Sequence, residues 1–153
     1  MREYDKVIFV AQTGNCREAM AAAILKSMTL KKPVEVLARG LVVQFPEPLN
    51  QKAEAVMIAN QTPLRGFVSV QLSEEEITPD TLILTMESVH KKRVKDRFPQ
   101  LDDDHLEVLT AFVGAELEIL DPYGGQVANY GLCYECIRNC VKRLVQVLNG
   151  ELI

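Results

Sequence analysis

Short continuous apolar runs alternate along the chain with longer stretches in which apolar residues recur at helical spacing. An apolar run of this length without alternating polar residues is typical of a strand buried on both faces of a sheet. The strands predicted in this way cover residues 6–10, 34–38, 81–85 and 106–112. The helical pattern covers residues 17–30, 51–60, 88–98 and 129–148, and residues 73–76 match the capping box of a short helix.

Strands that alternate with helices of this length predict right-handed crossover connections. The expected fold class is therefore α/β, a three-layer αβα arrangement with a four-stranded parallel sheet and helices on both faces. In such folds a ligand binds at the carboxyl ends of the strands. The segment AQTGNCR at residues 11–17, between the first strand and the first helix, lies at one such end.

Length and charge narrow the class of protein. A chain of 153 residues is of the usual size for one domain, so we predict a single domain over residues 1–153. The formal net charge of −4 argues against a nucleic-acid partner. The charged first residues and the short apolar stretch that follows fit neither a signal peptide nor a membrane span, so we expect a cytoplasmic protein with no membrane partner.

The segment at residues 11–17 has features of an anion site. Backbone N–H groups at a helix start have no partners within the helix, and the helix dipole favours negative charge there. Gly14 permits a positive φ that lets several N–H groups converge, and the Arg17 fork suits two oxygens of one phosphate. A plain turn beside a solvated arginine fits the same residues equally well.

Further segments agree with one family of enzymes in order and spacing. They are Ala38-Arg39-Gly40, Glu47-Pro48 with Asn50, Leu64-Arg65-Gly66, Val70-Gln71-Leu72, the run LILTM at 82–86 followed by His90, and Asp121-Pro122-Tyr123-Gly124-Gly125. With these segments the chain resembles the low-molecular-weight protein tyrosine phosphatases over nearly its whole length. The Asp-Pro segment is nearly diagnostic of the general-acid loop of that family.

The resemblance implies a reaction and a set of roles. In such enzymes a cysteine thiolate attacks phosphorus, loop amides and an arginine bind the phosphate oxygens, and an aspartate protonates the leaving group. Matched by position, Arg17 is the oxyanion clamp and Asp121 the general acid. Glu18 and Tyr123 are expected to line the pocket, with Val43 or Phe45 on the opposite wall, and no metal or cofactor is expected. The implied phosphate-binding residues are Gln12, Thr13, Gly14, Asn15, Cys16 and Arg17.

The chain departs from the family pattern in the segment at residues 11–18, which includes the nucleophile position. Ala11 stands at the nucleophile position, and Cys16 matches only a secondary cysteine that precedes the arginine. Gly14 and Asn15 lie one place later than in the family, and Glu18 replaces a serine. We therefore predict a pseudophosphatase that binds phosphate, phosphotyrosine or another small anion, with a phosphoprotein as a possible partner. The alternative is an active tyrosine phosphatase whose cysteine was engineered to Ala11, but several departures together favour natural divergence.

Glu18 has three possible orientations. Pointing inward, its carboxylate would repel bound phosphate by about 4 kcal/mol at a separation near 4 Å. Paired with Arg17, it would fill the pocket from inside. Pointing outward, it would only complement the helix dipole, and this simpler orientation is the one we expect.

Two other groups have candidate roles. Cys133, Cys136 and Cys140 share helical spacing, which fits core packing better than a metal or redox site because no histidine is near in the sequence. His90 and the basic run at residues 91–95 fit a solvated helix face better than a site for an acidic partner.

Overall fold

The structure is a computed structural model that describes residues 3–151. Its four strands and five α-helices follow the predicted alternation, and a single 3-10 turn with a capping box covers Glu74–Glu76. The elements are β1 (Lys6–Ala11), α1 (Arg17–Lys26), β2 (Glu35–Gly40), α2 (Gln51–Ala59), β3 (Thr81–Thr85), α3 (Ser88–Arg97), β4 (Leu106–Val108), α4 (Leu109–Phe112) and α5 (Val127–Leu148).

The strands form one parallel sheet in the order β2-β1-β3-β4. Successive residues of a strand point to opposite faces, so the apolar run of β1 supplies two cores. Val7 and Phe9 pack in the core with α1, α2 and α5, whereas Ile8 and Val10 pack in the core with α3. The expected three-layer αβα fold with a four-stranded parallel sheet is confirmed.

Two predicted elements are shorter in the structure by more than one residue. The fourth strand was expected over residues 106–112 but ends at Val108, and Leu109–Phe112 form α4. A continuous apolar run fits a strand and a buried helix equally well, which explains the error. The first helix was expected to reach residue 30 but ends at Lys26, where the Ser27 hydroxyl donates a hydrogen bond to the carbonyl of Ile24.

Helix α1 is buried on all sides because it lies between the sheet and α5. Every residue from Arg17 to Leu25 is buried, and alanines at positions 19, 21, 22 and 23 allow neighbouring elements to approach closely. The N-terminus of α1 therefore stays fixed at the carboxyl end of β1. Among residues 3–151, none of the helices has the length and apolar character needed to cross a membrane.

Candidate functional site

A cavity of about 520 Å³ opens at the carboxyl end of β1. It brings together residues from the loop after β1, from the segment before α2 and from the loop before α5. Its lining residues are Ala11, Gln12, Thr13, Asn15, Cys16, Arg17, Glu18, Glu47, Asn50, Asp121 and Tyr123. The predicted phosphate-binding residues other than Gly14 line this cavity, as do Glu18, Asp121 and Tyr123, and Gly14 lies in the same loop.

Close backbone packing fixes the loop after β1. Gly14 has a φ of +84°, as the sequence predicted, and a Cβ placed on it would lie 2.9 Å from the backbone nitrogen of Gly40 at the end of β2. The Asn15 side-chain amide donates to the carbonyl of Pro48, and the backbone N–H of Asn50 donates to the carbonyl of Asn15. The loop is thus joined to two neighbouring segments and has little freedom to change shape.

Glu18 points inward, so the expectation that it faces solvent is wrong. Its side chain is fully buried, and each carboxylate oxygen accepts one backbone N–H of the loop. Gly14 donates to Oε2 at 3.0 Å, and Cys16 donates to Oε1 at 2.9 Å. The physical reason is that converging N–H groups need an acceptor, and the carboxylate of a residue in the first turn of α1 reaches them.

Burial and hydrogen bonding act on Glu18 in opposite directions. Removal of the carboxylate from water raises its pKa above the ordinary glutamate value. The N–H donors of Gly14, Cys16 and Glu18 itself lower the pKa, as does the positive charge of Arg17, but burial has the larger effect. The loop therefore holds a carboxyl group as its internal ligand.

The guanidinium of Arg17 is buried and bonded to protein groups. Its Nη1 donates to the carbonyl of Ile119 at 2.7 Å, and its Nη2 lies 2.8 Å from a carboxylate oxygen of Glu87. Asp121 is more distant, at 3.8 Å from Nη2. Since its partner is Glu87, Arg17 does not form the pair with Glu18 that was one of the three orientations considered.

Asp121 and Tyr123 form one rim of the cavity. The backbone N–H of Tyr123 donates to Asp121 Oδ1 at 3.0 Å, which orients the carboxylate beside Arg17. The ring of Tyr123 is 83% exposed, so it stands at the mouth as an aromatic side wall. Glu47 and Asn50 also line the cavity, whereas Val43 and Phe45 do not, so the expectation that one of these two forms a wall is wrong.

None of the lining side chains has the features of an activated nucleophile. Ala11 is buried at the cavity floor and carries only a methyl group. Burial, reinforced by the negative charge of Glu18, raises the pKa of the Cys16 thiol to about 12, so this thiol stays protonated near neutral pH. The Thr13 hydroxyl donates to Asn15 Oδ1 at 2.8 Å and has no basic group among its partners in the structure.

Sequence reasoning missed the role of Glu87 and misplaced His90. Glu87 follows the carboxyl end of β3, a position where parallel-sheet topology could have pointed to the site. His90 is buried, not on the solvated face that we expected, and its Nδ1 accepts the backbone N–H of Glu87. Burial and the nearby Arg17 lower the pKa of His90, so the ring is held neutral behind the ion pair.

The cysteines of α5 do not share one environment. Cys133 and Cys140 are buried in the core as predicted, whereas Cys136 is exposed. Burial raises the pKa of Cys133 to about 12, which fits an inert core thiol. Within residues 3–151, we find no cluster of three or more potential ligands that could hold a metal ion.

Comparison with known proteins agrees with this architecture. The chain is 29% identical over 147 residues to a protein-arginine-phosphatase of Geobacillus stearothermophilus, covering 95% of this chain and 97% of the relative. It is 27% identical to the low molecular weight protein-tyrosine-phosphatase PtpB of Staphylococcus haemolyticus, covering 91% of this chain and 96% of that protein. The solved structure of YwlE arginine phosphatase from Geobacillus stearothermophilus superimposes with a TM-score of 0.87 at 31% identity, covering 95% and 94% of the two chains.

The match to a family model extends along almost the entire chain. The model is described as low molecular weight phosphotyrosine protein phosphatase, and it matches residues 6–152. Fold, order of segments and family match all agree. The chain belongs to the low molecular weight phosphotyrosine protein phosphatase family.

Proposed function

We propose that this chain is a pseudophosphatase, a member of the family that binds a ligand in the phosphatase cavity without hydrolysing it. One observation carries the proposal. At the cavity floor, where the resemblance places the attacking thiolate, there is the methyl group of Ala11, and the adjoining loop amides of Gly14 and Cys16 already donate to Glu18.

The missing nucleophile has no substitute among the lining residues. Loss of the nucleophile from a hydrolase lowers the rate by a factor on the order of 10⁶. Burial and the charge of Glu18 raise the pKa of the Cys16 thiol to about 12, so it does not supply a thiolate near neutral pH. In this proposal Arg17 and Asp121 match the family's clamp and general acid by position, but both groups assist an attack on phosphorus for which Ala11 has no nucleophilic atom.

The proposed ligand is a phosphorylated protein side chain or a smaller anion with the same charged group. The names of the relatives support this class, since they are phosphatases of tyrosine and arginine in proteins. The Tyr123 ring and the Asp121 loop form a mouth that suits a side chain presented by a partner protein. Binding by the amides of residues 12–17 stays a prediction, as does the cytoplasmic location.

A direct assay of hydrolysis tests the proposal. We expect no hydrolysis of p-nitrophenyl phosphate or of a protein carrying phosphoarginine above the level of a heat-treated sample. The matched control is Arg17→Ala, which removes the proposed clamp. Turnover by the unaltered protein that disappears in Arg17→Ala would show an active enzyme and overturn the proposal.

A further inference from the structure

We propose that Glu18 is an intramolecular competitor for the loop after β1, and that an external oxyanion binds there only when the Glu18 side chain withdraws. The inference rests on the proposed function, because it concerns binding at the same cavity. It adds that the Glu18 side chain controls this binding by competition.

The contacts of Glu18 are those that an oxyanion would need. Its two carboxylate oxygens divide the donors between them, one accepting the N–H of Gly14 and the other the N–H of Cys16. Both donors precede the first turn of α1, where the helix dipole favours negative charge. A phosphate oxygen and a carboxylate oxygen of Glu18 cannot accept the same N–H groups at once, so the two ligands exclude each other.

The loop amides, not the arginine, hold Glu18 in place. Arg17 donates to the carbonyl of Ile119 and pairs with Glu87, so its guanidinium is already occupied. The position of the Glu18 side chain therefore depends on the N–H groups of Gly14 and Cys16. These N–H groups would lack acceptors if the side chain were removed. Buried donors without partners are costly, and an oxyanion from solution would satisfy them.

The cavity gives the side chain room to leave. Glu18 is among its lining residues, and the space of about 520 Å³ adjoins the loop. Rotation of the Glu18 side chain into this space would free both amides without moving α1, whose residues from Arg17 to Leu25 are buried. Withdrawal thus requires a side-chain rotation alone and no change in fold.

Titration with inorganic phosphate, followed by the amide NMR signals of Gly14 and Cys16, tests the inference. Glu18→Ser removes the competitor, and we expect its affinity for phosphate to exceed that of the unaltered protein by about tenfold or more. Glu18→Gln keeps the volume of the side chain but not its charge, and its gain should be smaller because the loop stays filled. Glu47→Gln removes a carboxylate from the same cavity without freeing an amide, so its gain should be about threefold or less.

The outcomes distinguish occupation of the loop by the Glu18 side chain from repulsion of phosphate by the negative charge of the cavity. Equal gains in Glu18→Ser and Glu47→Gln would overturn the inference, because general repulsion would then explain both. Phosphate binding by the unaltered protein that is as tight as that of Glu18→Ser would overturn it as well. If Glu18→Ser folds poorly, phosphate should raise its midpoint of thermal unfolding by more than it raises that of the unaltered protein. Equal shifts in the two proteins would count against the inference. Hydrolysis of a phosphate ester by the unaltered protein would overturn the proposed function but not this inference. The titration measures the binding of inorganic phosphate, which has no ester bond to hydrolyse.

Discussion

Two loops meet at the cavity, and they are built in opposite ways. The loop after β1 packs backbone against backbone at Gly14, and its Glu18 side chain is fully buried. The loop before α5 is open: Leu117, Leu120 and Tyr123 are each more than 80% exposed. Each loop carries one half of the chemistry that the family resemblance implies, the anion cradle in the first and the acid in the second.

The packing of each loop determines whether its residues can change independently of one another. In the packed loop, a residue can change only if its neighbours still satisfy every buried donor, and Glu18 meets that need for the loop amides. In the open loop, few neighbours depend on a given side chain, so Asp121 and Tyr123 keep the family pattern without such a constraint. We infer that the proposed loss of turnover depends on the packed loop and that the proposed contact with a partner involves the open one.

The largest effect is expected from restoring the nucleophile. Ala11→Cys alone should stay near background hydrolysis, because a thiol beside a buried carboxyl group keeps a high pKa and the amides stay occupied. Ala11→Cys combined with Glu18→Ser should exceed the single variant by a factor of about 10³ or more in kcat/KM for p-nitrophenyl phosphate.

The matched control for the single and double variants is Glu18→Ser alone, which should not hydrolyse p-nitrophenyl phosphate. If Ala11→Cys alone reached the activity of the double variant, Glu18 would not be an obstacle. That result would favour the alternative in which an active phosphatase was engineered at position 11.

The next effect concerns the ion pair behind the packed loop. Arg17→Ala should lower the free energy of unfolding by about 2 to 4 kcal/mol, since it leaves Glu87 and the carbonyl of Ile119 without their donor. Urea denaturation measures the change, and Arg65→Ala on the exposed segment before β3 should cost about 0.5 kcal/mol or less. Equal losses in the two variants would show that the pair contributes nothing to stability.

The two loops offer an internal comparison through their glycines. Gly14 and Gly124 share a φ of +84°, but a Cβ on Gly14 would lie 2.9 Å from Gly40 N and one on Gly124 would meet nothing within 4 Å. Gly124→Ala should therefore cost about 1 kcal/mol for the left-handed conformation alone. Gly14→Ala should cost about 3 kcal/mol, because overpacking adds to that strain. Similar values by urea denaturation would refute the contrast between a packed and an open loop.

The sequence predicted most strands and helices, which depend on neighbouring residues. It missed side-chain partners, which depend on residues distant in the sequence. The apolar runs at β1 and β3 were recognised because each is bounded by polar or turn-forming residues, whereas α4 was missed because its apolar run continues that of β4. The inward turn of Glu18 depends on how the loop curves, and the pair between Arg17 and Glu87 depends on which strand lies next to β1. Residues that the family motifs single out line one cavity, but the motifs did not specify which acceptors the loop amides and Arg17 have.

The smallest effect is expected from Tyr123→Ser in the open loop. The ring is exposed, and the hydrogen bond that orients Asp121 comes from the backbone N–H of Tyr123, which serine retains. The free energy of unfolding should change by about 0.5 kcal/mol or less. A loss above about 1 kcal/mol would mean that the ring holds the loop in place. Both loops would then be packed structures, and the proposed loss of turnover could no longer be assigned to one of them alone.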